Sequence, residues 1–448
     1  MKRIAALALM LFAACTDIPE GPDPIRLTFP DMRRFDAASP GRAARPNSEI
    51  ALDFIDLAFR MESGRELPVF SRFEGPVTVR VAGDVSDTMI TDLEALLDRL
   101  RREAHIDIRR TESSDANIVI EAVPSRSLDR VAPNAACFVV PRVSSWAELR
   151  AARNTGALDW ATVRQREKAA IFLPGDAAPQ EIRDCLHEEL AQALGPLNDL
   201  YRLPDSVFND DNIHAVLTGF DMLILRTYYA AELQSGMSEA QVADRLPRIL
   251  ARFNPRGQRA GGQIPSSTSR AWITAIETAL TNGSAGRRRQ AAARAIAIGQ
   301  SLGWTGTREG FANYAFGRLQ IGNDATVALG AFNAAGRAYG QSAVTNIHSA
   351  HVAVQLAAFT LISGDAEATI TIADEAIPVA EQHENAALLA LLLMFKSEAL
   401  ELQGDSEKAA EVRLDSLGWG LYGFGTRDEV VSRLNEIASL APQIAPTQ

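Results

Sequence analysis

The sequence predicts an α+β domain with a mixed sheet, followed by an all-α domain built from helical repeats. Residues 48–255 alternate between strand-like and helical patterns of apolar residues. Beyond Pro255 the composition changes to Ala, Leu and Gly, and turn signals recur about every forty residues between amphipathic segments. We therefore divide the 448 residues into an export signal, a flexible tether, the α+β domain, a linker, the helical repeats and a tail: 1–14, 15–47, 48–255, 256–269, 270–440 and 441–448.

The amino terminus has the pattern of an export signal. A basic start at Lys2 and Arg3 precedes an apolar run that is too short to span a bilayer. Ala13 and Ala14 then precede Cys15, and small residues before a cysteine resemble the lipobox of bacterial lipoproteins. The resemblance implies lipidation of Cys15 and a periplasm-facing position in the envelope, at the outer membrane of a Gram-negative cell. An ordinary secretory signal cleaved near Ala14 is the alternative.

The charge balance limits the partners that the chain can bind. The formal net charge is −11, and removal of the signal would take away two further cations, Lys2 and Arg3. An acidic surface repels nucleic acid phosphates and anionic lipids. We therefore expect no nucleic acid partner and contact with the membrane through the lipid anchor alone.

Three cysteines are present, of which lipidation would use the first. Cys137 and Cys185 then form an even pair in an oxidising compartment, which predicts a disulfide. Two buried thiols are the alternative.

The α+β domain is predicted from local patterns in chain order. Helical spacing at 50–59 is followed by strand alternation at 77–81 and by a helix at 91–100. Further strands are predicted at 106–110, 117–122, 137–140 and 169–173. A final helix begins near Pro179 and ends at Gly195, because Gly followed by Pro is a strong helix stop.

The C-terminal half contains the repeated turn signals, which include Gly283, Gly322, Gly364 and Gly404. One turn per copy between two helical segments is typical of stacked helical hairpins. The segment resembles tetratricopeptide repeats, and the resemblance implies a surface for a protein or peptide partner. An irregular helical bundle is the alternative.

The helix predicted from Pro179 to Gly195, called the motif helix from here on, contains residues that resemble a known catalytic motif. Zinc peptidases of the metzincin group use H-E-x-x-H-x-x-G-x-x-H, in which three histidines bind zinc and the glutamate is the general base. Residues 188–198 resemble this motif when they are aligned on Gly195. The resemblance places Glu188, Gln192 and Asn198 at the ligand positions and Glu189 at the base position.

The resemblance extends beyond the motif helix. Residues 206–209 stand where metzincins have a methionine turn, and residues 217–228 match the helix that follows it. The motif also resembles an uncharacterised family of proteobacterial lipoproteins, with E-E-x-x-Q-x-L-G-x-x-N-D after a cysteine. That second resemblance implies no reaction.

The replacement of imidazoles by oxygen ligands predicts a weak metal site. Zinc prefers imidazole and thiolate, so Gln192 and Asn198 should not hold a catalytic zinc tightly. We therefore expect no cofactor and a scaffold function carried by the repeats, while zinc or another divalent metal is the alternative. In that alternative Glu189 is the general base of an active metal-dependent hydrolase, and His187 or His214 completes the ligand set.

Overall fold

The structure is a computed structural model that describes residues 28–35, 41–133, 135–259 and 266–442. The chain separates into two compact units. Of the described residues, the first unit contains 41–268 and the second contains 28–35 and 269–442. Cys15 and the predicted export signal lie outside the described residues. No helix in the described ranges is long and apolar enough to cross a membrane.

The first unit is built around a mixed five-stranded sheet in the order β2-β1-β3-β5-β4. The strands are β1 Val77–Gly83, β2 Ile108–Arg110, β3 Ile118–Val123, β4 Phe138–Pro141 and β5 Ala169–Pro174. All neighbouring strands are parallel except β4, which pairs antiparallel with β5 at one edge. These strands agree with the predicted segments to within two residues at each end.

Helices cover both faces of this sheet. They are α1 Asn47–Phe59, α2 Asp87–Glu103, α3 Ser125–Val131, α4 Trp146–Ala152, α5 Pro179–Leu194, α6 Gly219–Tyr228 and α7 Glu239–Phe253. Successive β5 side chains enter different cores: Ile171 packs with α1, α2 and α5, whereas Phe172 packs with α3 and α4. A strand buried on both faces reads as a continuous apolar run, which explains why β5 shows no polar alternation.

The second unit contains helices only, within the residues that the structure describes. They are α8 Arg270–Leu280, α9 Ala285–Ser301, α10 Thr307–Gln320, α11 Ala325–Tyr339, α12 Asn346–Ile362, α13 Ala366–Gln382, α14 Ala386–Leu402, α15 Ser406–Phe424 and α16 Arg427–Ala438. Each helix packs against the next in sequence. The four turn glycines fall between paired helices, and Gly364 and Gly404 adopt positive φ there, where glycine is unstrained.

Two short parts of the region 15–47, for which the sequence predicts a flexible tether, make contacts within the described residues. Residues 28–35 contact α15 within the second unit, as described below. In the first unit, Arg45 forms an ion pair with Asp205 at 3.0 Å, and its guanidinium lies 4.5 Å from the Phe220 ring. Proline and glycine content predicted mobility, but it could not reveal which side chains would meet a partner.

Candidate functional site

The motif helix α5 begins five residues after β5, so the sheet fixes the direction in which its polar residues enter the core. Glu189 lies in the middle of this helix and is 0% exposed. Neither of its carboxyl oxygens has a hydrogen-bond partner among the described residues. Burial raises the pKa of Glu189 to about 8, because a low-dielectric environment disfavours the ionised form.

The side chains at the three predicted ligand positions, Glu188, Gln192 and Asn198, have different surroundings. The Gln192 side-chain amide donates to Asp199 Oδ2 at 3.3 Å, and the Asn198 amide donates to the Asp56 carbonyl at 2.9 Å. Glu188 is half-buried, and burial together with the Asp199 carboxylate raises its pKa well above the usual range. The motif thus brings Glu188, Gln192 and Asp199 close together, while Asn198 holds the following loop to α1.

The residue at the end of the motif helix, Gly195, must be a glycine for a steric reason. A Cβ atom at this position would lie 2.7 Å from the Tyr228 ring of α6, which is shorter than any normal contact. The glycine therefore lets α6 pack directly against the end of α5. The hydroxyl of the next residue, Tyr229, donates to the Leu194 carbonyl at 3.0 Å.

Arg166 closes the same helix end and was not identified from the sequence. Its buried guanidinium donates to the Gln192 carbonyl at 2.5 Å, to the Ala193 carbonyl at 2.7 Å and to the Gly195 carbonyl. It also stacks on Trp160, with the guanidinium carbon 4.8 Å from the ring centroid. A cation at this point satisfies the carbonyls that a helix C-terminus leaves free. No local pattern around Arg166 indicates this function.

The two histidines that could have completed a metal site contact backbone groups. His187 is buried, its Nδ1 accepts a hydrogen bond from the Leu217 amide at 3.0 Å, and burial lowers its pKa well below the usual range. His214 Nε2 lies 3.1 Å from the Pro204 carbonyl. Both imidazoles therefore position the loops between α5 and α6.

The predicted turn at 206–209 is joined to α6 by a buried carboxyl group. Asp221 accepts hydrogen bonds from the Ser206 hydroxyl at 2.5 Å, the Val207 amide at 3.1 Å and the Thr218 amide at 2.8 Å. Thr218 and Asp221 also form a capping box at the start of α6. Ser206, Thr218 and Asp221 therefore stabilise the turn and the start of α6.

A buried ion-pair group connects the loop after the motif helix to α1. Asp53 is 0% exposed and pairs with both Arg45 and Arg202, and Arg202 also contacts Asp56 at 2.6 Å. Sequence reasoning missed this group, although a signal was present. Asp53 interrupts the apolar stripe of α1 one residue before Phe54, and a charge at a core position calls for a buried partner.

Cys137 and Cys185 form a disulfide, with their Cα atoms 5.9 Å apart. Cys137 immediately precedes the edge strand β4, and Cys185 lies one turn before Glu189 on α5. The bond therefore links the antiparallel edge of the sheet to the motif helix.

The chemistry of these residues does not fit a zinc centre. Among the described residues no group of three His, Cys, Asp or Glu side chains is placed to hold a metal ion. Carboxamide oxygens bind zinc weakly, and none of the positions Glu188, Gln192 and Asn198 carries an imidazole or a thiolate. We therefore derive no catalytic step through a metal.

Comparison with known proteins gives one partial match. No curated protein and no solved structure matches the chain. A family described as "Protein of unknown function (DUF2927)" matches residues 47–248, which begin with α1 and end within α7. The chain is similar to that uncharacterised family over the first unit, a little under half of its length.

Proposed function

We propose that this protein is a lipid-anchored envelope scaffold, in which a metzincin-like domain without catalytic activity accompanies a helical-repeat region that binds a protein or peptide. The observation that carries this proposal is the burial and hydrogen bonding of the polar side chains on and after the motif helix. Glu189 is sealed from solvent, while Gln192 and Asn198 hydrogen-bond to the chain itself. A general base must reach a substrate proton, and an enclosed carboxyl group can do so only if the chain around it opens.

The metzincin-like assignment is supported by order and position. A mixed sheet leads directly into the helix with the motif, Gly195 turns the chain under Tyr228, and Asp221 ties the following turn to α6. These are the segments in which the sequence resembles metzincins. The sequence differs from metzincins at the zinc-ligand positions, where Glu188, Gln192 and Asn198 replace histidines.

Assignment of the second unit as tetratricopeptide-like repeats is supported by its packing. Helices contact the next helix in sequence and in several cases the next but one, as α12 does with α14 and α14 with α16. Packing between helices that are close in sequence produces the extended surfaces that repeat proteins use to bind partners.

Membrane attachment through Cys15 is tested by replacing that residue. We expect the wild-type chain, expressed in a Gram-negative bacterium, to fractionate with the outer membrane and Cys15→Ser to be released into the periplasmic fraction. Thr16→Ser is the matched control, because it changes the neighbouring residue and keeps both Cys15 and the Cys137–Cys185 disulfide. Equal membrane retention of Cys15→Ser would show that Cys15 is not the anchor.

The absence of catalytic zinc is tested by metal analysis of the full chain purified from the envelope. We expect much less than one equivalent of transition metal, with no change in Glu188→Gln or Gln192→Ala. Stoichiometric zinc in the wild type that is lost in either variant would overturn the proposal.

One observation favours a second function, an active hydrolase that uses Glu189. Both carboxyl oxygens of Glu189 lack partners among the described residues, and buried polar groups without partners are concentrated at functional sites. Complementation of a deletion strain distinguishes the two functions. Glu189→Gln restores the wild-type phenotype if the domain is a scaffold and fails to do so if Glu189 is a catalytic base.

A further inference from the structure

A segment of the amino-terminal region lies on the surface of helix α15. Residues 28–35, Thr-Phe-Pro-Asp-Met-Arg-Arg-Phe, have no helical or strand structure and belong to the same compact unit as α15. The Arg33 amide donates to the Gly418 carbonyl at 3.0 Å, and Arg33 Nε lies 2.7 Å from Asp415 Oδ1. One residue of the segment thus makes both a backbone hydrogen bond and an ion pair with α15.

Two aromatic side chains hold the segment on either side of Arg33. The Phe35 ring stacks on Trp419, with 4.4 Å between ring centroids and 30° between planes. The Phe29 ring lies under the Arg427 guanidinium of α16 at 5.2 Å. Stacking and cation–π contacts of this kind give geometric specificity beyond the burial of apolar area.

Gly418 makes the close approach of the segment possible. A Cβ atom there would lie 2.9 Å from Arg33 Cγ and 3.2 Å from the Asp31 carbonyl oxygen. Glycine is unfavourable inside a helix, so its use within α15 requires a reason, and room for this segment is one. Asp415, Gly418 and Trp419 have the i, i+3, i+4 spacing that places them on one helix face.

We propose that this face, formed by Asp415, Gly418 and Trp419 together with Arg427, is a peptide-binding site, and that residues 28–35 are its ligand within the same chain. The ligand class is an extended peptide in which an arginine lies between two aromatic residues. The inference rests on the proposed binding function of the helical region and names the surface and the peptide class. Binding within one chain has an effective concentration on the order of millimolar, so an external peptide must compete with the resident segment.

Hydrogen exchange in the full-length chain tests whether the segment is held as described. Gly418→Ala favours the helix while its methyl group displaces the segment, so we expect exchange of the Arg33 amide, which donates to the Gly418 carbonyl, to accelerate at least about tenfold. Gly330→Ala is the matched control: it is also a helical glycine, and nothing lies within 4 Å of its Cβ position. Equal protection of the segment in wild type and Gly418→Ala would overturn the inference.

Binding of a synthetic peptide with the sequence of residues 27–36 tests recognition directly. The full-length variant Phe29→Ser/Arg33→Ser/Phe35→Ser lacks the resident side chains and should bind the labelled peptide at least about tenfold more tightly than wild type. Addition of Gly418→Ala should abolish that gain. A peptide of scrambled sequence is the control.

Failure of this inference can be separated from failure of the proposed function. If the triple variant binds neither peptide, or binds the scrambled peptide equally well, the site is wrong whatever the metal analysis shows. If the peptide binds specifically but stoichiometric zinc is found at the motif helix, the peptide site stands and the catalytically inactive assignment of the first unit is wrong.

Discussion

The two units of this protein differ in how far apart along the chain the partners of their polar side chains lie. In the first unit, buried charged residues such as Asp53, Arg166 and Asp221 join segments far apart in sequence. In the second unit, many polar contacts are local, as when Asp324, Asp365 and Asp405 cap the helices that follow them. The first unit should therefore depend on a few long-range links, whereas the second should depend on many small contacts between neighbouring helices.

The largest expected loss of stability follows the replacement of Arg166. Arg166→Met leaves three carbonyls at the end of α5 without their donor, and we expect a loss of unfolding free energy of roughly 3–5 kcal/mol. Arg142→Met is the control, because Arg142 also donates to carbonyl groups but is solvent-exposed, and it should cost less than about 1 kcal/mol. Native-state hydrogen exchange of the β5 amides measures both. Similar values for the two variants would show that burial of the Arg166 guanidinium adds nothing to the stability of the first unit.

Removal of the disulfide should cause the next largest loss of stability. The bond joins residues separated by 48 positions, and loss of such a link costs roughly 2–4 kcal/mol. We expect that a reductant weakens exchange protection in β4 and α5 of the wild type and leaves α8–α16 unchanged. The double variant Cys137→Ala/Cys185→Ala should show the same weakening and no response to reductant. An equal loss of exchange protection in α8–α16 would contradict the expectation that the disulfide stabilises the first unit alone.

Glu189 should make the stability of the first unit depend on pH. Its pKa is raised from 4.5 to about 8, so the folded state retains a proton that the unfolded state has released. The stability contributed by the protonated group is present in full below pH 4.5 and is lost as pH rises towards 8. Glu189→Gln removes this dependence.

We therefore expect Glu189→Gln to be more stable than wild type by roughly 4–5 kcal/mol at pH 8.5 and about equal to it at pH 4.5. Hydrogen exchange of α5 amides as a function of pH gives the difference after correction for intrinsic rates. Glu167→Gln, at an exposed position in the same unit, is the control. An unchanged pH profile in Glu189→Gln would show that another group compensates the buried carboxylate.

The smallest changes in unfolding free energy are expected for two glycine substitutions in the second unit, whose effects should differ only through tertiary contacts. Gly310 and Gly330 are both helical, but a Cβ at Gly310 would lie 2.4 Å from the Tyr339 ring, whereas the Cβ position of Gly330 is open. Gly310→Ala should destabilise the unit by roughly 1–3 kcal/mol through overpacking, and Gly330→Ala should stabilise it by up to about 1 kcal/mol. Thermal unfolding of the two variants measures the difference. If both substitutions stabilised the unit, close packing of α10 against α11 would be contradicted.

Local patterns were sufficient for much of the fold but for little of the site. Strands β1–β5 and helix α5 follow from runs and periodicities that each element carries within itself. The helices α3 and α4 are too short to show a clear apolar period. The order of the strands depends on pairing between distant segments, so no local pattern revealed it. The contact of Arg166 with the end of α5 also depends on tertiary packing.

The sequence by itself determined the order of elements, the turn signals between helix pairs, the cysteine pair available for a disulfide and the presence of Glu188, Gln192 and Asn198, rather than histidines, on and after α5. These features depend on which residues are present and on local spacing. Only the tertiary structure decided that Glu189 is enclosed, that Arg166 caps the motif helix and that residues 28–35 lie on α15. Burial and partnership arise when segments far apart in the chain pack together, and no single segment carries that information.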